Sequence, residues 1–97
     1  MTMFVDSSEI PESTLLGLLE KSYETFSTTH VTPVIQFGDG AVNVLELFHG
    51  PTCAFKDVAL QFLGNLFEFF LSRKQGSHIT VLGATSGDTG RSAFHAP

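Results

Sequence analysis

Lys56 is the residue with the most chemical potential in this chain. It lies in His49-Gly50-Pro51-Thr52-Cys53-Ala54-Phe55-Lys56-Asp57, between apolar runs at residues 42–48 and 58–71. A lysine kept only for solubility would normally lie on a charged face. Burial among apolar side chains disfavours the ammonium form. A neutral amine is a nucleophile that can form a Schiff base with an aldehyde. The plainer reading is a helix-start lysine whose stem lies on apolar surface while its head reaches water beside Asp57. One lysine is not a motif, and both readings stand on residue chemistry alone.

A second stretch bears on the choice. Gly83-Ala84-Thr85-Ser86-Gly87-Asp88-Thr89-Gly90 follows the apolar run His78-Ile79-Thr80-Val81-Leu82. A loop rich in Gly, Ser and Thr at the carboxyl end of a parallel strand is where open α/β sheets bind ligands. Backbone amides, the hydroxyls of Thr85, Ser86 and Thr89, and the start of a following helix can together hold an anion. An ordinary strand-to-helix turn favours the same residue types. No lysine follows Gly87, so the loop is not a Walker A motif, and it lacks G-x-G-x-x-G.

Taken together, E-L-F-H-G-P-T-C-A-F-K-D-V-A-L-Q-F-L-G-N-L-F-E-F-F-L (residues 46–71) and I-T-V-L-G-A-T-S-G-D-T-G (residues 79–90) resemble threonine synthases. These are pyridoxal-phosphate enzymes of the tryptophan-synthase-β fold type. E-I-P-E-S-T-L-L-G-L-L-E-K-S-Y-E-T-F (residues 9–26), with Val31-Thr32-Pro33 after it, is similar too. The resemblance is to the fungal-type branch and covers roughly residues 8–90. It implies an α/β fold, here an incomplete piece of a fold-type-II enzyme. The expected parts are an N-terminal helix, hairpin-like strands, a buried helix, a parallel strand and the start of a further helix. The expected division is an N-terminal helical segment over residues 1–30 and a partial cofactor-binding catalytic domain over 31–97, truncated after the Ser-Gly-Asp-Thr-Gly loop.

The resemblance also implies roles. Lys56 matches the Schiff-base lysine that holds pyridoxal 5'-phosphate and then moves protons as general base and acid. Thr85, Ser86, Gly87 and Thr89 match the loop that meets the substrate carboxylate, and Asp88 is expected to contact the cofactor. A carboxylate beside an anion would repel it. Asp88 is therefore expected to accept hydrogen bonds from loop amides or to face the cofactor's protonated side. Related enzymes of this fold type commonly have Asn there. The implied reaction is that of a carbon–oxygen lyase: O-phospho-L-homoserine and water give L-threonine and phosphate.

Composition limits the alternatives. The chain has 97 residues, 42% of them hydrophobic, and a net charge of −5. That suits one small globular domain with a modest core. No basic patch suggests a nucleic-acid partner. The single cysteine, Cys53, excludes an internal disulfide and suits a reducing, cytoplasmic setting. Residues 1–6 lack the basic region and apolar core of a signal peptide. Gln61, Gly64, Asn65 and Glu68 interrupt the longest apolar stretch, so no membrane span is expected. His30, His49, His78 and His95 show no metal-ligand spacing, and no metal is expected. His49 is expected to shape its turn, and Cys53 to be an inert, partly buried thiol.

The elements that must position Lys56 and the loop can be read in order. Pro11 fits a helix's first turn, and Leu15, Leu16, Leu18, Leu19, Tyr23 and Phe26 recur at helical spacing. Residues 31–37 and 42–48 are strands around Gly38-Asp39-Gly40, with Pro33 restricting the first to an edge or a strand start. A helix is expected from about Asp57, as N-cap, to Arg73, with Gly76 suiting its stop. Ala59, Phe62, Leu63, Leu66 and Phe70 fall on one face, widened by Leu60, Phe67 and Leu71. Strand, helix and strand in that order predict a right-handed crossover and a parallel pair between residues 42–48 and 79–82. Lys56 and the 85–90 loop would then share one edge of the sheet.

Relative to the resembled family, the glycine-rich cofactor-phosphate loop, the partner of the pyridine nitrogen and the remaining strands have no counterpart. The expectation is that these 97 residues alone are inactive or nearly so. Two alternatives stay open: a non-catalytic product that associates with another chain through its exposed apolar helix, and a small α/β anion-binding module.

Overall fold

The computed structural model describes residues 3–74, 76 and 78–96. Among them lie helix α1 (Glu12–Tyr23), strands β1 (Val34–Phe37) and β2 (Val42–Leu45), helix α2 (Asp57–Ser72) and helix α3 (Asp88–His95).

Pro11 caps α1 rather than opening it, and Glu12 and Lys21 lie at the ends that the helix dipole favours. β1 begins directly after Pro33, whose ring cannot donate to a ladder. β1 and β2 pair antiparallel, from Val34 opposite Leu45 to Phe37 opposite Val42. The turn between them holds Gly38, Asp39 and Gly40 at φ of 58°, 55° and 87°. Glycine and aspartate tolerate this left-handed region best, which is why the hairpin closes here. The second strand is shorter than the sequence suggests and ends at Leu45.

Two expectations need correction. Residues 78–82 form no strand, and β1–β2 is the only sheet among the described residues. A parallel strand needs a neighbour's hydrogen-bonding edge. β2 offers one edge to β1, and its residues all lie exposed. Ile79, Val81 and Leu82 are likewise exposed. The second correction concerns α2. The residues it buries are polar (Asp57, Gln61 and Asn65), while Leu63, Phe67 and Phe70 are exposed. Spaced four apart, these polar residues form one stripe, and α1 and α3 both pack against α2. Of the apolar face expected to be core, Leu60, Phe62, Leu66 and Leu71 are only half-buried, and Ala59, Leu63, Phe67 and Phe70 are exposed.

The buried apolar residues are correspondingly few: Ile10, Leu15 and Phe26, around the start and end of α1. The described residues are drawn out, with principal extents of 55, 34 and 20 Å and a radius of gyration of 15.9 Å. A compact domain of 100 residues has a radius of about 13 Å. No helix among the described residues is long and apolar enough to cross a membrane.

Candidate active site: an amine and a hydroxyl loop at the head of two helices

The turn before α2 is built around the Asp57 carboxylate. Asp57 is the first residue of α2 and is fully buried. It is not the N-cap that sequence reasoning placed there; Lys56 occupies that position. The Thr52 amide donates to Asp57 Oδ2 at 2.8 Å, and the Thr52 hydroxyl donates to Oδ1 at 2.8 Å. The Ser92 hydroxyl donates a short bond to the same Oδ1. A buried carboxylate is tolerated when its lone pairs are satisfied in this way.

Gly50 is required by that carboxylate. A Cβ at position 50 would lie 2.5 Å from Asp57 Oδ2 and 2.8 Å from its Cγ. His49 secures the turn from outside. Its Nε2 lies 2.6 Å from Glu46 Oε2, and its Nδ1 lies 2.9 Å from Ser27 Oγ. An ionised carboxylate only accepts, so Nε2 carries a hydrogen. Cys53 is exposed, with φ of 60°. It is not the partly buried thiol expected: a turn tight enough to close from Gly50 carbonyl to Cys53 amide at 3.1 Å directs its side chain outward.

On the other side, Thr85 closes the second loop on itself. Its Oγ1 accepts from the Gly87 amide at 3.0 Å and the Gly90 amide at 3.1 Å. Both acceptor positions are thereby used, and its hydroxyl hydrogen remains able to donate. Gly87, at φ of 137°, is the N-cap of α3, a conformation that side chains rarely adopt. Asp88 and Thr89 form the first turn of α3, where backbone amides have no acceptor within the helix. Asp88 is exposed, and its carboxylate makes no hydrogen bond among the described residues. It thus does not accept from loop amides, one of the two placements expected; its position at a helix start is electrostatically favourable. Ser86 is exposed beside it.

The two stretches meet. Lys56 Nζ donates to Thr89 Oγ1 at 2.5 Å, across 33 positions of sequence. The amine is half-buried, lies 5.6 Å from the Phe55 ring centroid, and pairs with no carboxylate among the described residues. Lys21, by contrast, lies 2.6 Å from Glu68 Oε2. Sheet pairing is not what brings Lys56 to the loop. The packing of α2 on α3 does so, through Asp57–Ser92 and a 3.3 Å bond from Gln61 Nε2 to the Ser92 carbonyl. Sequence reasoning missed Gln61, Asn65, Ser22 and Ser92 as a set. The available signal was the polar i, i+4, i+8 stripe within an apolar helix; its partners lie 31 to 43 residues away.

No His, Cys, Asp and Glu cluster among the described residues could hold a metal ion. What the arrangement offers is a lysine amine beside a hydroxyl and the Asp88 and Thr89 amides, which have no acceptor within α3, a donor set for an anionic small molecule bearing a carbonyl.

Comparison with known proteins gives the setting. No family model matches the chain. Threonine synthase of Schizosaccharomyces pombe is 55% identical, over 98% of this chain and 20% of its own length. Threonine synthase of Saccharomyces cerevisiae is 50% identical with the same coverage. The crystal structure of threonine synthase from yeast superposes with a TM-score of 0.89 at 50% identity, covering 97% of this chain and 20% of that one. The PLP-bound threonine synthase from Brucella melitensis superposes with a TM-score of 0.87 at 43% identity. The chain is thus a small mixed α/β piece, homologous throughout its length to threonine synthases and spanning about one fifth of theirs.

Proposed function

We propose that this chain carries the cofactor lysine and the substrate-carboxylate loop of a threonine-synthase-type lyase. The reaction is elimination of phosphate from O-phospho-L-homoserine and addition of water to give L-threonine, in the cytoplasm. The observation that supports this reading most is the 2.5 Å bond between Lys56 Nζ and Thr89 Oγ1, which joins the two motifs.

The residues present fit pyridoxal 5'-phosphate. An amine free of any carboxylate partner among the described residues suits an aldehyde, and the first-turn amides and hydroxyls of the 85–90 loop suit an anion. When bound, the cofactor supplies an electron sink for charge developing on substrate carbon. Lys56 would hold it through its amine, and that amine would take and return protons at the substrate's α and β carbons. Ser86 and Thr89, with the remaining donor hydrogen of Thr85, would hold and orient the substrate carboxylate, and Gly87, its amide given to Thr85, would shape the loop for it. Asp88, exposed at the head of α3, would contact the cofactor from its protonated side. Residues 31–97 form the cofactor-binding part and residues 1–30 a helical segment that braces α2.

The 97 residues by themselves are proposed to be inactive in turnover. Thr85, Ser86, Gly87 and Asp88 are all exposed, and phosphate elimination needs a dry, preorganised site. The exposed Leu63, Phe67 and Phe70 favour a second reading, in which the chain works by associating with another copy or another chain.

The test is incubation with pyridoxal phosphate, borohydride reduction and peptide mass mapping. An adduct concentrated at Lys56 over Lys21 and Lys74 supports the reading, and an even distribution overturns it. Phosphate release from O-phosphohomoserine by the chain alone would overturn the proposed inactivity.

A further inference from the structure

Asp57 is an ionisable side chain with no exposure, and no step assigned above uses it. Its bonds go to two different segments: Thr52 in the turn before α2 and Ser92 on α3. Lys56 and Asp57 are consecutive, and their partners Thr89 and Ser92 are three apart, on one face of α3. The two contacts are therefore neighbouring rungs between the same pair of helices. One is half-buried and holds the amine; the other is sealed from water.

We propose that Asp57 is the positioning residue for the Lys56 amine. This rests on the reading of Lys56 given above. The carboxylate pins the start of α2 to the Gly50–Thr52 turn on one side and to α3 on the other. With both fixed, the Lys56 amine is kept within reach of Thr89. A slip of α2 against α3 by one residue moves the rungs by about 1.5 Å, enough to break both. Gly50 serves the same end, because any side chain there would displace the carboxylate.

The test uses the full chain and four substitutions. Asp57→Ala removes the carboxylate and with it all three bonds, Ser92→Ala removes its α3 contact, and Thr52→Val removes one donor. Thr52→Ser keeps that donor. Two signals are read beside far-UV circular dichroism. The first is the NMR cross-peak between the Lys56 ε-methylene and the Thr89 methyl, which needs no cofactor. The second is the share of borohydride-trapped adduct at Lys56. Asp57→Ala and Ser92→Ala are expected to lose the cross-peak at unchanged helicity, with the adduct share at Lys56 falling about tenfold, while Thr52→Ser retains both. A cross-peak retained in Asp57→Ala overturns the proposal. Unfolding of all three disruptive variants also overturns it, in favour of a purely structural role. An intact cross-peak in the unsubstituted chain, without adduct preference at Lys56, counts against the cofactor reading and leaves the positioning role supported.

Discussion

Lys56 Nζ and Thr89 Oγ1 lie 2.5 Å apart although 33 residues separate them. The contact links the N-cap of α2 to the first turn of α3, and it places an amine against the amide-rich start of a helix. In a chain with so few buried apolar residues, such a contact must be set by polar clamps rather than by core packing.

Replacing Lys56 with Ala is expected to abolish the trapped adduct at that position, leaving only unselective labelling of Lys21 and Lys74. Helicity should be unchanged, since the Lys56 side chain makes no capping bond to α2 and the amine is only half-buried. Absorbance and mass mapping on reduced samples would show it.

Gly50→Ala is expected to destabilise the fold by about 1–3 kcal/mol, because the added methyl overlaps the Asp57 carboxylate. The neighbour cannot give way without losing its bonds to Thr52 and Ser92. Gly17→Ala is a control, since nothing lies within 4 Å of the added atom, and it should be neutral or slightly stabilising. Urea midpoints of the two variants make the comparison.

Tyr23 should give the fold an alkaline weakness. Partial burial raises its pKa above the ordinary 10.0, and its hydroxyl donates to the Val58 carbonyl at 3.0 Å. Above pH 10 the unfolded chain ionises this phenol before the folded one does. The unfolded state then binds fewer protons, so stability falls as pH rises from that point toward the folded value. Below pH 10 both forms are neutral and the group adds no slope. Melting temperatures between pH 8 and 11 should drop less steeply for Tyr23→Phe than for the unsubstituted chain.

Phe67→Asp is expected to reduce self-association without loss of helicity. Phe67 lies 39% exposed on the apolar face of α2, beside Leu63 and Phe70. A charge there opposes burial against a partner while adding nothing to the polar stripe on the opposite face. Sedimentation velocity across a concentration series would reveal the change; an unaltered distribution would remove this face from consideration.

Local chemistry was legible in the chain's own letters. Pro33 and Gly38-Asp39-Gly40 announce a hairpin because ring geometry and left-handed backbone are properties of single residues. The apolar period after Asp57 announces α2, and the Gly-Ser-Thr loop announces a helix start. Lys56 and Thr85–Gly90 stood out by residue type and by family resemblance. What sequence could not supply was the direction each face turns. Hydrophobic periodicity says that α2 has an apolar side; only tertiary packing decides that its most deeply buried residues are the polar stripe. Asp57, Gln61 and Asn65 find their partners in Ser22, Thr52 and Ser92, and a hydrogen bond between distant positions leaves no period in a sequence. The missing parallel strand has the same cause: residues 79–82 carry strand propensity, but a ladder exists only where a neighbouring edge is presented. The sequence determined which groups are available for chemistry. The tertiary structure decided that an amine and a hydroxyl 33 residues apart share one site, because a buried carboxylate and a side-chain-free glycine lock two helices in register.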